Sequence, residues 1–253
     1  ELRRFHEVVE RRVLGNVPIY WRRVMKNGDS SFFGLGIPML HGEGSFTEEE
    51  LKATALANLG WWHHSLENTL DKLDWAWMAQ HLRIYGAYLW ELCTAPILPF
   101  EFTEVAKQFE DRLSELRDSK TVGLEGAIAH AQAFGRAARR LAEACEHWRG
   151  VYAKQGGIQD GPAERLNRCM QRISHLLVPM QSTYKGTYGQ DSYGFTPQTT
   201  MIPCLYEAQD LSRLEDGPDR WMLETHLVRA RNRVADALDD ATTLIEETLA
   251  RLD

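Results

Sequence analysis

Leu223, Leu227, Ala230, Val234, Ala237, Ala241, Ile245 and Leu249 recur every three or four residues near the end of the chain. That period puts one apolar stripe on one side of a helix. It predicts a helix from about Pro218 to Leu252, far longer than an average globular helix. A stripe of this length needs cover, and the preceding sequence offers it. Leu124, Ile128, Ala131, Phe134, Ala138, Leu141, Cys145 and Trp148 mark another long helix over about 122–153, whose small residues permit close approach. Met78, Leu82, Tyr85, Leu89 and Leu92 mark one starting at Trp75, broken by the prolines of "TAPILPF". Ala106, Phe109, Leu113 and Leu116 lie inside one with Thr103 as its cap, and a further helix covers about 162–178. A long irregular segment, 179–207, separates it from the last helix, and such loops in helical domains are more often functional than idle.

Before residue 75 the chain has a different character. Glycines and prolines are frequent and the apolar segments are short. Leu2, Phe5, Val8, Val9 and Val13 have helical spacing over 2–14, with Gly15 and Asn16 as a stop. "VPIYWRRVM" and "GIPML" read as short strands. Thr47 precedes the acidic turn Glu48 to Glu50, a helix start expected to run to about Asn58. The expected fold is mostly α: an α/β segment at 1–74, then a helical bundle at 75–253.

Charge and composition narrow the function. A net charge of −7 opposes a broad electrostatic grip on nucleic acid. No apolar run is long enough to span a bilayer. The first residues show neither an initiator Met nor a signal-peptide pattern, so a processed protein or a piece of a longer chain is expected. Cys93, Cys145, Cys169 and Cys204 form no CxxC pair, which argues against a cysteine zinc site and for buried thiols. Unpaired thiols lean towards a reducing, cytoplasmic compartment without fixing one.

The chemistry concentrates in "WWHHSLENTLDKLD", residues 61–74. A neutral imidazole gives one nitrogen to a metal while the other is held by an acceptor, so adjacent histidines before a helix are candidate ligands. The alternative is a packed loop. The stretch resembles the motif of zinc-dependent aminopeptidases and carboxypeptidases, an aromatic residue, His, Ser/Thr, two variable positions and Thr before a helix; here His63 stands where the family often has Trp or Tyr, and three residues, Leu66 to Asn68, separate Ser65 from Thr69. "NGDSSFFGLGIPML" is similar to that family's segment leading to Gly-Ile-Pro. "LCTAPILPFEFTEVAKQFEDRLSEL" resembles its junction into a C-terminal helical domain, in the glutamate carboxypeptidase and transferrin receptor branch.

The resemblance implies a C-terminal remnant of an α/β zinc-peptidase domain followed by a helical dimerisation domain. His64 would then ligate one zinc of a two-zinc site. His63, Asp29, Ser30, Lys185 and Tyr193 would bind substrate, a peptide or small amide, with Tyr193 supplied by "DSYGFTP". Two zincs would activate a bridging water, with the other ligands and the glutamate base upstream of this chain. The chain alone is therefore expected to be inactive, with no catalytic residue of its own. Expected partners are a second copy and the N-terminal catalytic portion of the same precursor. A non-catalytic scaffold of the same fold is the rival reading.

Several residues have plainer roles open to them. Asp29 can simply bond to its own turn backbone. His41 can be an exposed strand end, and Arg22, Arg23 and Lys26 a solvated face. The tyrosine-rich loop can be a dimer contact. Trp61, Trp62, Trp75 and Trp77 are expected to form core beneath the site loop.

Overall fold

The computed structural model describes residues 1–15, 19, 28–40, 46–54, 56–117, 122–155, 160–189, 191 and 199–252, with backbone alone at 28–31 and 160. It is mostly helical. The α-helices are α1 (Arg3–Leu14), α2 (Glu48–Ala53), α3 (Trp75–Thr94), α4 (Thr103–Glu115), α5 (Glu125–Gln155), α6 (Asp160–Ser182) and α7 (Pro218–Leu249). Tighter 3-10 segments occupy Gly28–Leu35, Leu70–Lys72 and Pro203–Arg213. By its internal contacts the chain divides into two units. The first holds Glu1–Phe5, Pro18–Met39 and Thr94–Asp253; the second holds His6–Val17 and Leu40–Cys93.

The first unit is a helical bundle. α5 packs on α4 and α7, and α7 packs also on α6 and the Pro203–Arg213 segment. The stripes read from the sequence face inward: Leu124 just before α5, Ile128, Phe134 and Leu141 of α5, and Leu227, Val234, Ala241 and Ile245 of α7 are buried. Phe109 and Leu113 of α4, with Leu116 just past its end, join them. The small residues matter where expected, since a Cβ on Gly135 would meet the Ala106 Cβ at 3.4 Å. The proline-rich segment before α4 is clamped from two helices. Asn167 accepts from the Leu98 N–H at 2.8 Å and donates to the Pro96 carbonyl at 3.0 Å, while Arg149 donates to the Leu98 carbonyl at 2.8 Å.

Thr103 does not cap α4. Glu101 does: its carboxylate accepts from the Thr103 N–H at 2.7 Å and the Glu104 N–H at 3.3 Å, and also accepts from the Thr103 hydroxyl. An anion suits the positive end of a helix better than a hydroxyl. Thr47 caps α2 as expected, in a reciprocal box with Glu50. Its N–H donates to the Glu50 carboxylate at 2.7 Å, which holds that carboxyl below its usual range. α2 ends at Ala53 rather than near Asn58; the Thr54 hydroxyl bonds back to the Glu50 carbonyl at 3.1 Å and Leu56 turns left-handed at φ 65.

"GIPML" is not a buried strand, and no strand forms among the described residues. Gly36 sits at φ +75 and Pro38 has no N–H, so the segment cannot carry a regular ladder. It closes on itself instead, with the Ile37 N–H donating to the Phe32 carbonyl at 3.2 Å. Most of "VPIYWRRVM" lies outside the described residues.

In the second unit, Val9, Ile84 and Tyr88 are buried. His6, also buried, bonds Glu10 at 2.7 Å and lies 5.2 Å from the Tyr88 ring. Arg12 of α1 pairs with Glu91 of α3. The apolar stripe that marked α3 in the sequence is largely exposed: Met78, Leu82, Tyr85 and Leu89 face solvent, while Ile84 and Tyr88 are buried. Cys93 is exposed too, unlike the other three thiols. The tryptophans are not core either. Trp61, Trp75 and Trp77 are 64%, 62% and 56% exposed. Two residues apart on a helix, Trp75 and Trp77 point in nearly opposite directions and cannot share one buried face.

Candidate functional site

The stretch 60–74 is a run of turns that ends by capping α3. Gly60 opens it at φ +84, where an added Cβ would strike the Trp62 ring at 2.5 Å. The His63 N–H donates to the Gly60 carbonyl at 3.1 Å. Ser65 then staples the turn: its hydroxyl donates to the Trp62 carbonyl at 2.6 Å and accepts from the Glu67 N–H at 3.2 Å. The Asp74 carboxylate accepts from the N–H groups of Ala76 at 2.8 Å and Trp77 at 3.1 Å. Between them, Asp71 takes bonds from Thr69 and Lys72, with Lys72 holding its carboxyl below the usual range.

His64 sits at φ 60, left-handed backbone shared among the described non-glycine residues by Leu56, Tyr188 and Ile202, and one that histidine adopts more readily than most. Its ring is exposed and stacks on His63 with centroids 3.9 Å apart. Among the described residues no three His, Cys, Asp or Glu side chains gather as a metal site. One imidazole is one of the four ligands that a zinc ion takes. These residues by themselves do not fit a zinc centre.

A second constellation forms in the bundle unit. The Gly28–Leu35 segment, which carries Asp29 and Ser30, packs on α6. Gly36 lies so close to the α6 backbone that a Cβ would stand 2.3 Å from the His175 Cα. Four residues on is Pro179, which has no N–H to give to the His175 carbonyl. The His175 ring donates from Nδ1 to the Leu35 carbonyl at 3.0 Å. The 183–189 loop closes over the same place, where the Tyr188 N–H donates to the Gly34 carbonyl at 3.0 Å. The elements holding Asp29, Ser30 and Lys185 are thus brought together, while His63 and His64 belong to the other unit. The side chains of Asp29 and Ser30, and all of Tyr193, His41, Arg22, Arg23 and Lys26, lie outside the described residues.

Sequence reasoning missed Tyr188. It sits on the Lys185 loop at φ 61, with its ring 76% exposed. The signal was the "GTYG" spacing, two glycines flanking a tyrosine in a loop. Part of the segment expected to be irregular is ordered by helices: α6 runs to Ser182, and Pro203–Arg213 forms a 3-10 helix. Tyr184 ties the two, its hydroxyl donating to Glu207 at 2.8 Å; burial pushes its pKa up to about 12.

Elsewhere, a groove of about 610 Å³ between α4 and α5 is lined by Lys107, Arg136 and Arg139 with Glu104 and Glu110 among them. Carboxylates interleaved with the cations leave it no single charge preference. No described helix is long and apolar enough to cross a membrane. Compared with known proteins, the chain matches no family model, no curated protein and no solved structure.

Proposed function

We propose that this chain is the C-terminal part of a two-zinc exopeptidase or related amide hydrolase. His64 presents one imidazole to the metal site, and His63 faces the substrate. The segments around Asp29, Ser30, Lys185 and Tyr193 border a peptide or small-amide substrate. The helical bundle pairs with a second copy, and the remaining zinc ligands and the base come from the N-terminal catalytic portion. The chain alone does not hydrolyse substrate.

The observation that carries the reading is the backbone at His64. A left-handed non-glycine residue costs roughly 1–2 kcal/mol. The ring gains no core packing in return, because it is exposed. The turn around it is nevertheless fixed, by Ser65 on one side and by the Asp74 cap on the other. Strain held at an exposed, metal-competent ring suits a ligand better than a packing residue. The resemblance of 61–74 to the zinc-exopeptidase motif supports the same residue as the ligand.

The test is a native mass spectrum, metal retained, of the full-length protein that carries this chain. Two zincs per active unit are expected in the wild type and in His63→Ala, with zinc lost in His64→Ala together with peptidase activity. A metal-free dimer would support the rival reading, a non-catalytic scaffold. Unchanged zinc in His64→Ala would remove that residue from the site.

A further inference from the structure

The loop after α6 is pinned at several of its described residues. The Thr183 hydroxyl donates to the Pro179 carbonyl at 2.7 Å and accepts from the Gly186 N–H at 2.8 Å. The Asp191 carboxylate accepts from two consecutive backbone N–H groups, Tyr184 at 2.9 Å and Lys185 at 3.0 Å. The Tyr184 ring stacks on His226, 5.9 Å between centroids, and Tyr188 is tied to Gly34. The Lys185 side chain stands apart from this. It is exposed and makes no ion pair among the described residues. A lysine on a mobile loop is a poor ligand, because binding must freeze backbone and side chain together. On a pinned backbone only the side chain remains to be ordered.

We infer that Asp191 is the positioning residue of this site. By accepting both N–H groups it fixes the backbone from which the Lys185 ammonium reaches a substrate carboxylate. The inference rests on the reading of Lys185 as a substrate-binding residue. An ionised carboxylate is suited to the task, since its two oxygens take adjacent N–H groups in charge-assisted bonds stronger than neutral ones.

The test uses the full-length protein and two probes, a blocked dipeptide ending in a free carboxylate and the same dipeptide as its amide. The wild type is expected to favour the acid. D191A and K185M should each raise KM for the acid about tenfold, the weight of one charge-assisted bond, with kcat within about twofold. The double variant should be no worse than K185M alone, and D191N, which keeps one acceptor oxygen, should recover part of the loss. Hydrogen exchange at the Tyr184 and Lys185 amides should quicken in D191A and not in K185M. An unchanged KM in D191A beside a raised one in K185M overturns the role of Asp191 and leaves the exopeptidase reading standing. An unchanged KM in both removes Lys185 as the group positioned. Wild-type protein that turns over neither probe overturns the reading and the inference together. If D191A does not fold, D191N carries the comparison with a smaller rise in KM expected, and an unchanged KM beside a raised one in K185M still overturns the role of Asp191.

Discussion

Gly36→Ala tests the docking of the Gly28–Leu35 segment on α6. The new Cβ would stand 2.3 Å from the His175 Cα and 2.9 Å from its carbonyl oxygen, inside any real contact distance. Both are helix backbone, so no side chain can swing aside. The φ of +75 adds its own penalty, roughly 1–2 kcal/mol for alanine. The segment can relieve the clash only by lifting from α6. That would break the His175–Leu35 and Tyr188–Gly34 hydrogen bonds, each worth about 1 kcal/mol. The expected loss is about 3 kcal/mol, a large share of a typical domain's stability. Urea denaturation gives the total, and hydrogen exchange at the Tyr188 amide shows whether the segment has lifted. Gly150→Ala is the control. It lies in α5 with nothing within 4 Å of its missing Cβ, and should stabilise by about 0.5–1 kcal/mol. A Gly36→Ala protein within about 0.5 kcal/mol of wild type, with Tyr188 still protected, would refute the reasoning.

Three further outcomes are expected. Glu101→Ala should lower stability by about 1 kcal/mol in a thermal melt, because α4 loses the acceptor of its first N–H groups. Native protein treated with a thiol reagent near pH 8 should take one label, at Cys93, by mass spectrometry. Burial pushes the Cys145 and Cys204 thiols up to about 11 and raises Cys169 as well, so all three stay protonated and covered. Tyr184 has its folded pKa raised to about 12 from an ordinary value of 10.0, by burial first and then by Glu207. Its contribution is complete below pH 10 and is lost between about pH 10 and 12. Urea midpoints followed through that window should fall in the wild type, and Tyr184→Phe should flatten this part of the fall.

The helices that were legible and the faces that were not differ for a physical reason. The stripes 124–148 and 223–249 gave the right helices and the right buried faces, because several neighbours cover them from different sides. α3 shows the limit of the same rule. Its period announced a helix, and a helix formed, but Ile84 and Tyr88 found cover while Met78, Leu82 and Leu89 did not. Spacing fixes which residues share a face; only the neighbours decide whether that face is covered. Thr103 was read as a cap because hydroxyls often are, yet Glu101 two residues earlier reaches the same N–H groups with a full charge. For the candidate site, the turn 61–74 was singled out by its residue types, and Lys185 by the resemblance of its loop to one in the zinc exopeptidases. Tyr188 went unread because its only sequence signal, the flanking glycines of "GTYG", does not by itself say which way the loop turns.

By itself the sequence determined what depends on neighbours a few positions away. The helical periods, the Thr47 cap, the stop at Gly15 and the mostly helical class are all of that kind. The tertiary structure alone decided what depends on distant residues meeting. Leu35 and His175 stand 140 positions apart and share a hydrogen bond. Gly36 reveals why it must be glycine only when the α6 backbone lies against it. Local order follows from short-range sterics and hydrogen bonding, which any stretch of sequence carries within itself. Juxtaposition follows from which apolar surfaces find each other, and that is a property of the folded chain as a whole.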